Sequence, residues 1–248
     1  MKPDGRPRVG LLPLYIELYD RSFRSHRPRM DAFHRAIGAA LSARGLEVQT
    51  VPLCRVKAEF AAAVRQFEKA RVDAIVTLHL AYSPSLESSA ALAATRLPVI
   101  VLDTTPTYGF GPDQAPDEIM YNHGIHGVQD MCNLLIRNRK PFRIEAGHWQ
   151  KSDVLDRVVH DVTGARMAAA MRRGRVGLIG PPFDGMGDFA VSPADMQRTL
   201  GVKVLTATAR GLRARVTGLS TRAVAAEMEA QRRAFDARGL DSAVHARS

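Results

Sequence analysis

The strongest constraint on this chain is an alternation of short, continuously apolar runs with longer helical patterns. The runs Val9 to Ile16, Leu46 to Leu53, Asp73 to Leu80 and Leu97 to Leu102 carry apolar residues at nearly every position. That is the signature of strands buried on both faces, not of the in-out alternation of a half-exposed sheet. Between them Met30 to Arg44, Val56 to Ala70 and Ser85 to Thr95 show helical spacing, and Gly45 stands where a helix C-terminus favours glycine. Phe142 to Ala146 reads as a further strand and Ser152 to Arg173 as a helix. Strand-helix alternation of this kind specifies a parallel sheet with helices on both sides.

Residues 1–172 are therefore expected to form a doubly wound, flavodoxin-like parallel sheet. From residue 173 an incomplete second α/β unit follows: strands at Arg175 to Ile179 and Val202 to Ala207, helices at Ser192 to Leu200 and Thr221 to Arg238. Two strands and two helices do not make a stable layer alone, which implies a truncated second domain or heavy reliance on the first domain or a partner.

No run approaches the roughly 20 apolar residues of a membrane span, and the start Met-Lys-Pro-Asp-Gly-Arg-Pro-Arg lacks a secretory apolar segment. Cys54 and Cys132 have no paired spacing and suit a reducing compartment. A cytoplasmic protein without a membrane partner is expected. The net charge of +10 raises the question of nucleic acid. Yet the basic residues are scattered and interrupted by acids, with no stacking motif among them, so no nucleic-acid partner is expected.

Asp103 to Glu118 breaks the rhythm with three prolines and two glycines and reads as a long loop. It leads into Tyr121-Asn-His-Gly-Ile-His-Gly-Val-Gln-Asp. Together with Gly147-His-Trp, this stretch gathers His123, His126 and His148, three of the eight histidines, and the only tryptophan, Trp149. With a helix starting near Ile125, His123 lies in the preceding loop and His126 in the first turn, beside unpaired N–H groups that suit a hydroxyl-rich or anionic ligand. Gly124 and Gly127 permit unusual backbone or close approach of a ligand. Two imidazoles three residues apart also suit a shared metal ion, but they are an incomplete ligand set. The plain structural alternative is that Asn122 caps the helix and the imidazoles bond nearby carbonyls. Clustering favours a site. In open parallel sheets ligands bind beyond the carboxyl ends of the strands. Those ends carry Tyr15-Glu17-Tyr19, His79-Tyr82-Ser83, Asp103-Thr104-Thr105 and His148-Trp149. The glycines after Ile179 lack dinucleotide-binding spacing, and Pro181 and Pro182 remove N–H groups that a phosphate needs. Asp184 and Asp188 read either as hydrogen-bonding or metal-linked carboxylates or as turn caps.

Five stretches in order resemble the L-fucose/L-arabinose isomerase family, in its L-fucose isomerase-like branch. They are Leu12-Pro-Leu-Tyr-Ile-Glu-Leu-Tyr-Asp, His79-Leu-Ala-Tyr-Ser-Pro-Ser, the Tyr121 run, Gly147-His-Trp and Gly185-Met-Gly-Asp-Phe. The resemblance implies a metal-dependent aldose–ketose isomerase, usually with manganese (Mn2+) or another divalent cation, in which two carboxylates move a proton between adjacent carbons. In the family the metal ligands and acid/base carboxylates lie further downstream, so the chain looks like its N-terminal portion, inactive alone. His126 matches the histidine of the family's Asn-x-x-x-His-Gly pattern, which reaches the sugar in a neighbouring subunit, and is the expected catalytic contribution. Tyr15, His79, Tyr82, Asn122, His123 and Trp149 are the expected substrate-binding residues. A monosaccharide substrate and a homo-oligomer with a site shared between subunits follow, with residues 1–172 contacting substrate and neighbouring subunits. Two rival readings remain: a non-catalytic sugar-binding or regulatory module, and a remnant of a split gene.

Overall fold

In a computed structural model, which describes residues 5–180, 185 and 191–247, the chain divides into two compact units, Met1–Ala170 and Met171–Ser248. The first contains an all-parallel sheet built from β1 (Arg8–Leu14), β2 (Glu47–Thr50), β3 (Ala74–His79), β4 (Val99–Asp103) and β5 (Phe142–Ala146), in the order β2-β1-β3-β4-β5. This is the expected flavodoxin-like α/β class. The order reverses between β1 and β3, which opens a crevice at their carboxyl ends.

Helices cover both faces of this sheet. On one, α2 (His26–Ala43) and α7 (Val154–Arg173) pack Met30, Phe33, Ile37, Val158 and Val162 against Val9, Leu11, Val76 and Leu102. On the other, α3 (Lys57–Ala70), α4 (Ser85–Ala94) and α6 (Gly124–Arg137) pack Phe60, Phe67, Leu92, Met131 and Leu135 against Leu12, Leu14, Ile75 and Val101. Strands β1 and β3 therefore need apolar residues on both sides, and β3 is buried throughout. The packing is tight enough to dictate a glycine: a Cβ at Gly10 would lie 2.6 Å from the Phe67 ring.

Three local features depart from the sequence reading. The polar stretch after β1 is a short helix, α1 (Glu17–Ser22). Helix α2 starts at His26 rather than Met30, because Pro28 falls in the first turn, where its missing N–H interrupts no helical bond. Edge strand β2 is shorter than the run Leu46 to Leu53 and exposes Glu47 and Thr50. The long loop is present. It ends in a 3-10 turn at Pro116–Glu118, then α5 (Ile119–Asn122), with His123 as the junction to α6.

In the second unit β6 (Arg175–Ile179) pairs in parallel with β7 (Lys203–Ala207). Around them lie α8 (Pro193–Leu200), α9 (Ala209–Thr217), α10 (Thr221–Ala234) and α11 (Ser242–Arg247). Ser192, Thr208 and Ser220 cap the first three of these helices. Two helices, α9 and α11, were not expected, and α10 stops before Phe235, short of the expected Arg238. All five residues of β6 are exposed. Asp184 and Asp188 lie outside the described residues, as do Pro181 and Pro182 and all of the 185–189 motif except Gly185. Among the described residues no helix is long and apolar enough to cross a membrane.

Candidate functional site at the carboxyl rim of the first sheet

Tyr15 follows β1 directly and is held by its N–H, which donates to the Cys54 carbonyl at 2.9 Å. Its ring is fully buried, and its hydroxyl has no partner among the described residues. Burial, reinforced by nearby Asp20, pushes the Tyr15 phenol up to about 12, so it remains a neutral donor. The ring meets Tyr19 edge-on at 6.1 Å, and the Arg27 guanidinium lies 5.6 Å from its centroid. Tyr19 then bridges to the histidine cluster: its hydroxyl is 3.1 Å from His123 Nε2. Burial holds the His123 imidazole below its usual range, with His126 pushing the same way and the carbonyls of Ile119 and Met120 opposing. His126 is exposed in the first turn of α6, its ring 5.9 Å from that of His123. Its Nδ1 lies 3.2 Å from the His123 carbonyl. A carbonyl only accepts, so Nδ1 carries the proton and Nε2 of the neutral ring presents a lone pair.

These aromatic groups are fixed by ion pairs at the start of α2, a helix with no acidic residue in its first turn and no side-chain cap. Carboxylates from elsewhere take that place, as the positive end of the helix dipole favours. Asp20 of α1 accepts from Arg27 at 3.1 Å and from Arg55 at 2.6 Å. Glu118, at the end of the long loop, receives Arg29 in a two-pronged contact at 2.8 and 3.1 Å. The Arg29 hydrogen bonds hold the Glu118 carboxyl below the usual range. Arg29 also stacks 3.4 Å from the centroid of Tyr121, whose ring packs at 4.4 Å on the buried His26.

The other predicted residues fall into distinct places. Asn122 is not the helix cap: its amide accepts from Thr107 N–H at 3.0 Å and donates to Thr107 Oγ1 and the Glu118 carbonyl, which pins the long loop. His79 lies beneath α6, only 3% exposed, with Nδ1 3.1 Å from Ser83 Oγ. Burial lowers it to about 3, so it is a neutral support of α6. The close approach that Gly124 and Gly127 permit is to this support: added Cβ atoms would lie 2.4 Å from the His79 carbonyl oxygen and 2.7 Å from Ser83 Oγ. Tyr82 sits apart from the Tyr15 group, on the α4–α6 flank. There its hydroxyl donates to Asp130 at 3.3 Å, beside a groove of about 310 Å³. Trp149 packs against Phe33 at 5.9 Å on the Tyr15 face, with His148 and Tyr108 beside it. The structure thus joins Tyr15, through Tyr19, to His123 and His126, places Trp149 apart from them after β5 with Phe33 and His148, puts Asn122 and His79 behind α6, and separates Tyr82.

Tyr19 stood on the expected strand-end rim but not among the expected substrate-binding residues, and His26, Arg27 and Arg29 were in neither. Their signal was present as an aromatic and basic run from Tyr15 to Arg29, but it is readable only once α1 folds back over the strand end. Among the described residues no three His, Cys, Asp or Glu side chains are grouped so as to hold a metal ion. The fold and the rim define an α/β protein of the doubly wound class with a cluster of aromatic and imidazole side chains at the carboxyl ends of its strands. The chain matches no known family model and no curated protein.

Proposed function

We propose that the first unit is the sugar-contacting domain of an aldose–ketose isomerase, acting in an assembly whose other residues hold the divalent cation. The observation that carries this reading is His126, exposed at the start of α6 with Nε2 left as a proton acceptor and its ring backed by the His123–Tyr19 pair. In that setting Nε2 accepts a hydrogen bond or a proton from a sugar hydroxyl held opposite it. The half-buried Trp149 ring supplies apolar surface of the kind a monosaccharide needs. The arginines at this rim are already matched by Asp20, Glu59 and Glu118, which suits an uncharged ligand. A cation, when bound, polarises the carbonyl and hydroxyl oxygens. In this reading its ligands come from the rest of the assembly.

Two measurements test this. The isolated chain is expected not to interconvert aldoses and ketoses with any added divalent ion. In an active assembly containing this chain, His126→Ala is expected to lower kcat by about a hundredfold, the lower end of acid/base contributions, with bound metal unchanged. Turnover by the isolated chain, or metal loss in the variant, overturns the assignment. Saturable sugar binding without turnover in any assembly favours a regulatory sugar-binding module instead.

A further inference from the structure

The turn that follows β5 is fixed by its own hydrogen bonds. Gly147 N–H donates to the Asp103 carbonyl at 3.0 Å, Trp149 N–H to Thr104 Oγ1 at 3.0 Å, and Ser152 Oγ to the His148 carbonyl at 2.9 Å. One further bond settles the state of His148: the backbone N–H of Gln150 donates to its Nδ1 at 3.2 Å. That nitrogen is therefore the acceptor, and the neutral ring carries its proton on Nε2. The Nε2 atom is buried and has no partner among the described residues, and the same holds for Nε1 of Trp149. The two rings are neighbours, 6.4 Å between centroids, and Tyr108 of the long loop closes on His148 edge-on at 5.3 Å. A buried N–H without an acceptor is destabilising, and two on one rigid turn call for an explanation.

We infer that His148 and Trp149 form a two-donor subsite that binds acceptor oxygens of a neutral, polyhydroxylated ligand, with Tyr108 as its outer wall. Both groups present an N–H, so the ligand must present lone pairs. The aromatic walls suit the C–H faces of a sugar better than a fully charged group. This deepens the isomerase reading and rests on it for the ligand class. It also makes His148, which the sequence groups with the site histidines but not with the expected substrate-binding residues, a substrate-positioning residue, and explains the Gly-His-Trp sequence as a preorganised pair of donors.

Trp149 is the only tryptophan, so its emission reports on this spot alone. The full chain is titrated with L-arabinose, with L-fucose and, separately, with acetate, following calorimetric heat and Trp149 emission together. Expected is a saturable emission change with a sugar at the calorimetric midpoint. His148→Phe keeps a ring but loses the donor and weakens binding about tenfold, whereas His148→Gln retains an N–H and stays within about threefold of wild type. Heat without an emission change, or equal affinity in His148→Phe, overturns the subsite and leaves the isomerase reading standing. Saturation by acetate but by neither sugar overturns the ligand class. Absence of saturation by all three overturns the subsite, while the His126→Ala assay in the assembly judges the isomerase reading separately.

Discussion

Two stretches of this molecule are almost the same pentapeptide. Arg-Val-Gly-Leu-Leu occupies 8–12 in β1, and Arg-Val-Gly-Leu-Ile occupies 175–179 in β6. Both are parallel strands preceding a helix. Yet Val9, Leu11 and Leu12 are fully buried, whereas Val176 is 48% and Leu178 41% exposed. The difference lies in the surroundings. β1 has a partner strand on each edge and a helix layer on each face. β6 has one partner among the described residues and no buried position. Strand formation is thus a local property of the segment, and burial is a property of what covers it.

Substitutions at matched positions sharpen that contrast. The largest effect is expected for Leu11→Ala, which leaves a cavity between sheet and α2 and lowers stability by about 3 kcal/mol in urea denaturation. The same change at Leu178 should stay below about 1 kcal/mol. Comparable losses at the two leucines would mean that β6 is as well covered as β1. Next comes Gly10→Ala: the new methyl meets the Phe67 ring, and overpacking costs about 2 kcal/mol. At Gly177 nothing lies within 4 Å of an added Cβ, and alanine should be close to neutral.

The smallest effect per step is pH dependence. The first unit contains every histidine except His245, and it keeps His79 neutral down to about pH 3. The unfolded chain takes up that proton near pH 6.5, so below this the unfolded state is favoured. Each pH unit downward then removes about 1.4 kcal/mol until the folded group itself titrates. Denaturation at a series of pH values should show this slope, shallower by about that amount in His79→Phe. An unchanged slope would place the proton uptake on other groups, such as His34 and His123, which burial also lowers.

The same pair of pentapeptides shows how far sequence reading reaches. Continuous apolar runs identified the strands of the first sheet and hence its class, because a strand buried on both faces has little freedom of composition. They could not say that β6 is exposed, since its residues are those of a buried strand. Helix α1 was hidden because only Tyr19 of its six residues is buried. Helix α9 was missed because Gly211 and three arginines interrupt its pattern. At the rim, the clustering of imidazoles was visible locally. The Tyr19–His123 contact spans 104 residues and the Arg29–Glu118 pair 89, and no local spacing encodes either. Asn122 looked like a cap because it precedes a helix; its partners at Thr107 became apparent only with the loop in place.

The seat of α6 on β3 has a mechanical consequence. Most helices in a layered fold rest on interdigitated side chains, whose rotamer freedom lets them slide by fractions of an ångström. At Gly124 no side chain intervenes, and the helix start lies directly against the peptide of His79. The height of His123 and His126 above the sheet is therefore gauged by the thickness of one peptide plane. Any displacement of those imidazoles along the sheet normal must bend β3 itself, the fully buried strand at the centre of the sheet.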